Sequence, residues 1–89
     1  MPKAEVEIVN KLGLHARASA KLTQLAGGYP CEIWIERGAR RINAKSIMGV
    51  MMVAAGMGAK VTVDCEGDRA DEALQAIVKL VAERFGEGE

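Results

Sequence analysis

The chain has 89 residues, 49% of them hydrophobic, and its 12 lysines and arginines balance its 12 aspartates and glutamates. This length suits one small domain with a modest core, and zero net charge argues against a protein that coats nucleic acid or an anionic membrane. No apolar run reaches the ~20 residues that span a bilayer, and the start lacks the apolar segment of a signal peptide. We expect a single cytoplasmic domain over residues 1–89 that is not membrane-embedded.

Two cysteines, Cys31 and Cys65, are too few and too far apart for a metal framework or a CxxC redox pair. Each is in phase with apolar neighbours, which predicts a small core residue. Both are expected to be reduced, with a disulfide between them as the alternative. We predict neither a metal nor a cofactor.

The first half of the chain alternates strand and helix patterns. Residues 4, 6 and 8 are apolar and residues 5 and 7 are acidic, which predicts a half-buried strand. Residues 10–14 form a loop in which Gly13 can adopt a left-handed conformation. From Ala16 the apolar residues recur at helical spacing until Gly27 and Gly28 end the helix. Residues 31–36 then alternate again, and residues 39–44 predict a short edge strand guarded by its arginines.

The second half begins with Ser46, a favoured N-cap for a short helix. Residues 60–66 predict another strand, with Val61, Val63 and Cys65 facing inward. Asp68 is expected to cap a last helix whose apolar face extends to Phe85, and residues 86–89 to form a frayed acidic tail. The element order β-α-β-β-α-β-α, with one polar face on most strands, predicts an α+β fold. We expect an open-faced, two-layer sandwich of a four-stranded antiparallel sheet with three helices on one face.

His15, the only histidine, lies where the first helix begins. A histidine in this position is often a surface residue or a cap. However, the first amides of a helix are unpaired and partly positive, so this position suits an anion. Arg17 can offer a planar fork of donors to a phosphate or carboxylate. Gly13 and Leu14 leave little bulk ahead of the imidazole, so a partner could approach it closely.

A nucleophilic imidazole among anion-binding groups suits phosphoryl transfer, which depends on in-line positioning and charge stabilisation. The sequence has no GxxxxGK[ST] loop for a nucleotide and no acidic cluster arranged for magnesium. So small a chain also offers no evident substrate pocket for a hydrolase. These residues predict a carrier that accepts and passes on a group, rather than an enzyme with its own substrate.

Two motifs carry a family resemblance. "GLHARASA" resembles the active-site signature of the histidine-containing phosphocarrier family HPr of the bacterial phosphoenolpyruvate-dependent sugar phosphotransferase system. "AKSIMGVMMVAAGMGAKVTV" resembles that family's second signature, around a regulatory serine. The likeness covers nearly the whole chain, and the two motifs at this spacing form a specific signal.

The resemblance implies that His15 is phosphorylated on Nδ1 and that Arg17 steadies the phosphoryl group. It implies that the protein receives this phosphoryl group from enzyme I and delivers it to the A components of sugar permeases or regulatory branches. It also implies the sheet order 1-4-2-3. The family usually has proline where this chain has Ala18. An amide in the first turn of a helix has no partner within the helix, so proline costs no hydrogen bond there and alanine merely restores a free amide. The change to alanine should therefore spare phosphorylation and affect partner preference only mildly.

The second motif predicts a docking surface. Nearly every residue from 47 to 55 is apolar, whereas a helix on a sheet needs only about a 100° apolar stripe. The alternative is a short helix buried all round. Exposed methionines would suit several partners because their side chains are flexible. The resemblance favours docking beside His15, through a set of residues from both motifs: Ala16, Ala20, Lys21, Lys45, Ile47, Met48 and Met51. Lys21 and Lys45 would form a basic rim facing acidic partners.

Ser46 has a sufficient structural role as an N-cap. The resemblance adds that it could be the target of a dedicated HPr kinase/phosphorylase, which would place a dianion within the docking surface.

Two other classes of function compete with a carrier. An RNA-binding sheet would need stacking aromatics, and this chain has one Trp, one Tyr, one Phe and no net positive charge. A non-catalytic regulatory or ligand-sensing α+β domain is the stronger alternative, and it would need no reactive histidine. Repeated docking with different partners favours a monomer.

Overall fold

The computed structural model describes residues 2–88. The four stretches of alternating polarity form one antiparallel sheet. Its strands are Lys3–Glu7 (β1), Glu32–Arg37 (β2), Arg40–Asn43 (β3) and Lys60–Glu66 (β4). Their order in the sheet is β1-β4-β2-β3, so the short β3 lies at an edge. The sheet order implied by the resemblance and the edge position of the arginine-rich strand are both confirmed.

Three helices follow from the stretches with helical periodicity, at Ala16–Gly27 (α1), Ile47–Met52 (α2) and Ala70–Ala82 (α3). They complete the predicted order β-α-β-β-α-β-α, and the α+β open-faced sandwich is confirmed. A 3-10 turn over Arg84–Gly86 follows α3. Among the described residues, no helix is long and apolar enough to cross a membrane.

The inner face of the sheet forms the core because alternate residues of the central strands point the same way. Ile35 pairs with Val63 and Ile33 pairs with Cys65, and all four side chains are almost completely buried. Trp34 lies on the opposite, open face of β2 and is half-buried. Both cysteines are buried and free, as predicted, with no disulfide. Burial raises the pKa of the Cys65 thiol to about 11, with smaller contributions from Cys31 and Asp64.

Two predictions about the last helix are wrong. Asp68 does not cap α3, because the chain takes a left-handed conformation one residue later and Arg69 becomes the N-cap, with no side-chain capping bond. Asp71 in the first turn supplies the negative charge that the positive helix end favours. Phe85 is fully buried, but it does not extend the face of α3. The helix has already ended at Ala82, and Phe85 has a φ of 54° within the 3-10 turn.

The loop that carries the histidine is fixed by a close contact between two segments of backbone. Gly13 has a φ of 66°, and a Cβ added there would lie 2.5 Å from the Ala55 carbonyl oxygen and 2.7 Å from Gly56 Cα. The amide of the next residue, Leu14, donates a 2.9 Å hydrogen bond to the Ala55 carbonyl. Glycine at position 13 is therefore required by both conformation and space, and His15 is held at the start of α1.

Candidate functional site

His15 is the N-cap of helix α1, and its two ring nitrogens have different partners. Nδ1 accepts a 3.3 Å hydrogen bond from the backbone amide of Arg17. Nε2 faces the Oε2 carboxylate oxygen of Glu87. An amide requires an acceptor and a carboxylate requires a donor, so these contacts assign the proton of the neutral ring to Nε2. The lone pair of Nδ1 then points at the partly positive end of the helix.

The C-terminal segment completes the site, so the prediction of a frayed tail is wrong for the part that the structure describes. Glu87 Oε1 accepts a 2.9 Å hydrogen bond from the Asn10 side-chain amide, while Oε2 faces His15. The Glu87 side chain is only 11% exposed to solvent. The hydrogen bond from Asn10, together with His15 and the charge of Arg17, lowers the pKa of Glu87 although partial burial opposes the shift. Glu89 lies outside the described residues.

A pocket of about 250 Å³ opens at this site and is lined by Lys11, Leu12, His15, Arg17, Gly86 and Glu87. Two of these side chains are cationic and one is anionic, so the mouth carries an excess of positive charge beside the imidazole. Arg17 is exposed at the mouth of this pocket. This arrangement can receive a small anionic group at Nδ1, where the amide of Arg17 and the start of α1 would stabilise its charge. Within residues 2–88, no group of three or more histidine, cysteine or acidic side chains could hold a metal ion.

Helix α2 presents an exposed apolar surface, so the alternative of a helix buried all round is wrong. Only Val50 of this helix is buried. Ile47, Met48 and Met51 are 40%, 70% and 44% exposed. Ser46 is the N-cap as predicted, and its hydroxyl oxygen accepts a hydrogen bond of 3.2 Å from the Gly49 amide. An apolar patch of this kind on a small domain is typical of a surface that contacts partners.

The two lysines predicted to form a basic rim both have intramolecular partners. Lys21 donates a 2.6 Å hydrogen bond to the Phe85 carbonyl, and Lys45 donates a 2.7 Å bond to the Tyr29 carbonyl. Both lysines are half-buried. On α1, Ala16 is exposed and Ala20 is half-buried, four residues apart on one face of the helix.

Sequence reasoning missed Asn10 and Glu87. Glu87 is 72 residues from His15 and Asn10 is 77 residues from Glu87. No local spacing links residues so far apart. The one signal in the sequence was an asparagine in the loop before the histidine, and only the structure shows that Asn10 is 0% exposed. Such a residue must find hydrogen-bond partners.

Comparison with known proteins agrees with this fold. The sequence profile of the PTS-HPr family, described as the PTS HPr component phosphorylation site, matches residues 2–83. The chain is 55% identical over 89 residues to the phosphocarrier protein HPr of Cupriavidus necator, covering 100% of both chains. A crystal structure of HPr-C-His from Thermoanaerobacter tengcongensis superposes with a TM-score of 0.94 at 42% identity, covering 98% of each chain. A structure described as an HPr dimer from the same organism gives a TM-score of 0.79 at 42% identity, covering 98% of this chain and 100% of that one.

These matches define the class as the small phosphocarrier proteins of the phosphotransferase system. The chain belongs to the HPr family.

Proposed function

We propose that the protein accepts a phosphoryl group on His15 Nδ1 from phosphorylated enzyme I and passes it to the A components of sugar permeases or regulatory branches. The observation that carries this proposal is the orientation of the imidazole. Nδ1 faces the amide of Arg17 at the start of α1, and Nε2 faces the carboxylate of Glu87. The nitrogen with the lone pair therefore lies where phosphoryl oxygens would meet positive partial charge.

The transfer step can be written with its electrons and its proton accounted for. The Nδ1 lone pair forms the nitrogen–phosphorus bond, and the bond from phosphorus to the donor atom of enzyme I breaks with its electron pair on the donor. No proton leaves His15, because the proton on Nε2 remains between the ring and Glu87. The Arg17 amide loses its acceptor as Nδ1 bonds to phosphorus and can then donate to a phosphoryl oxygen. The Arg17 guanidinium, which lines the same pocket, adds charge stabilisation.

Partner proteins would dock on the exposed apolar surface of α2 together with the neighbouring face of α1. Ile47, Met48 and Met51 are exposed on α2, which packs against α1, and Ala16 and Ala20 present no bulky side chains on α1. Methionines suit repeated docking with different partners because they repack at little cost. Lys21 and Lys45, although hydrogen-bonded to backbone carbonyls, bring positive charge to the edge of this surface and would favour acidic partners.

Ser46 would provide regulation if an HPr kinase/phosphorylase phosphorylates it. Its hydroxyl lies at the N-terminus of α2, where added negative charge is tolerated by the fold. The same charge would repel an acidic partner at the docking surface. The protein would work as a monomer in the cytoplasm, since each transfer requires the same surface to be vacated and occupied again.

The protein would be a group carrier with a phosphohistidine intermediate, not an enzyme with a substrate of its own. The alternative, a non-catalytic regulatory domain, needs no reactive imidazole. Incubation with phosphoenolpyruvate and enzyme I separates them, because this chain has one histidine and an acid-labile phosphoryl group on histidine must be at position 15.

The sharpest variant for this experiment is His15→Asn. Asparagine is a favoured N-cap, so it can replace the cap that Nδ1 provides for the Arg17 amide while lacking the nucleophile. We expect a folded protein that accepts no phosphoryl group. Labelling of His15→Asn at the rate of the wild type would overturn the proposal.

A further inference from the structure

The C-terminal turn is anchored firmly enough to place Glu87 in the site. Phe85 is 0% exposed, and its carbonyl accepts the 2.6 Å hydrogen bond from Lys21 on α1. Arg84 and Phe85 both have left-handed φ angles, which turn the chain back toward the histidine loop. Two non-glycine residues in that conformation need surrounding structure to hold them. The position of Glu87 is therefore built into the fold.

Asn10 determines how Glu87 is held. Its side-chain amide donates one hydrogen bond of 2.8 Å to the Gly13 carbonyl and a second of 2.9 Å to Glu87 Oε1. Both N–H groups of this fully buried amide are thereby used. Glu87 Oε1 must be an acceptor for Asn10, and Oε2 must be an acceptor for His15. A carboxylate satisfies both requirements at once.

We propose that Asn10 and Glu87 form a clamp that keeps the His15 proton on Nε2 and so leaves the Nδ1 lone pair free for the phosphoryl group. Both are positioning residues, since neither touches the reacting nitrogen. The role in transfer rests on the proposed phosphocarrier function, whereas the tautomer does not. The carboxylate also faces the positive charge that the ring acquires when Nδ1 bonds to phosphorus, much as the aspartate supports histidine in a Ser-His-Asp triad.

The clamp has a consequence that a purely electrostatic role lacks. In Glu87→Gln the oxygen of the new amide must face the Asn10 donor, which leaves its NH₂ facing His15 Nε2. Two donors cannot face each other, so the Nε2–H form loses its acceptor, while in the Nδ1–H form the ring proton would face the Arg17 amide, which is also a donor. Each tautomer then opposes one pair of donors, so the preference for the Nε2–H form is lost and Nδ1 is blocked in part of the molecules. Glu87→Ala instead leaves Nε2 to water, and the Arg17 amide alone still favours the Nε2–H form. Glutamine should therefore be the more harmful substitution, although it resembles glutamate more closely.

The test combines ring ¹⁵N–¹H spectra of His15 at neutral pH with rates of enzyme I-dependent phosphorylation. We expect the Nε2–H form in the wild type, a mixture of the two tautomers in Glu87→Gln and mainly the Nε2–H form in Glu87→Ala. Because a ring in the wrong tautomer has no free lone pair at Nδ1, we expect transfer to fall roughly 2-fold or more in Glu87→Gln and less in Glu87→Ala. Glu83→Gln is the matched control: it removes the same charge from an exposed residue of the same segment and should leave both readouts unchanged.

A second variant tests the contribution of Asn10. In Asn10→Ala with Glu87→Gln, the new amide can turn either way, so the shift toward Nδ1–H should be lost. A wild-type ring spectrum in Glu87→Gln, or an altered spectrum with wild-type transfer, would overturn the clamp. If wild-type protein shows the Nε2–H form but is never phosphorylated, the phosphocarrier proposal fails instead. Should the double variant not fold, the comparison of Glu87→Gln with Glu87→Ala decides.

Discussion

Gly13 should be among the least replaceable residues of the site, and the structure allows the cost of replacing it to be worked out. Its φ of 66° is left-handed, which costs a residue with a Cβ ~1–2 kcal/mol. The added Cβ would lie 2.5 Å from the Ala55 carbonyl oxygen, so the two loops must separate. Separation weakens the hydrogen bond from the Leu14 amide to that carbonyl, for a further ~0.5–1.5 kcal/mol.

We therefore expect Gly13→Ala to lower the free energy of unfolding by about 1.5–3.5 kcal/mol. For a domain of this size the melting temperature should fall by roughly 6–28 °C. Urea unfolding followed by circular dichroism measures the first quantity, and a thermal scan measures the second. Since the loop carries His15, the ring signals of the histidine should shift in the same variant.

Two other glycines serve as matched controls. Gly38 has a φ of 60° but no atom within 4 Å of an added Cβ, so Gly38→Ala reports the conformational cost alone, about 1–2 kcal/mol. Gly27 has neither a positive φ nor a close neighbour, so Gly27→Ala should be neutral or slightly stabilising. If Gly13→Ala unfolds no more easily than Gly38→Ala, the close approach of the two loops does not limit the site and the reasoning is wrong.

Four further predictions concern charge at the site and on the docking surface. Arg17→Glu should slow phosphoryl transfer to and from His15. The melting temperature should change little, because exposed charges contribute little to stability. Wild-type transfer rates in this variant would show that the helix amides alone stabilise the phosphoryl group. Ser46→Asp should keep the fold, because aspartate is an equal N-cap, but weaken the encounter with enzyme I by an amount that shrinks as salt screens the repulsion. Met48→Glu should be worse and less sensitive to salt, since it also spoils an apolar contact, and normal kinetics in both variants would place docking elsewhere. Finally, the hydrogen bond from Asn10 lowers the pKa of Glu87 in the folded state. The stability that the Glu87 carboxylate contributes is therefore fully present above its pKa in the unfolded chain, ~4.3, and is lost as the pH falls through its lower pKa in the folded protein. Unfolding of wild type and Glu87→Gln at stepped pH should show their difference vanish in acid, and a difference that grew in acid would contradict the assignment.

Local chemistry was sufficient to predict most of the elements and the centre of the site. Alternating polarity marked the strands, and glycines or a capping serine marked the ends of helices. His15 and Arg17 could be placed together because they are two residues apart at one helix start. The sheet order, however, came from the family resemblance and not from periodicity, because strand pairing depends on contacts between distant segments.

Tertiary structure alone decided what faces the second nitrogen of His15. Glu87 reaches the ring only because Arg84 and Phe85 take left-handed conformations and Lys21 holds the turn, and no local propensity favours such conformations for arginine or phenylalanine. The same limit explains Asp68, which a left-handed Arg69 displaced from the capping position. The residues near in sequence determine which nitrogen can be stabilised by the helix. The residues brought together by folding determine which nitrogen keeps the proton, because that choice requires a donor and an acceptor from opposite ends of the chain.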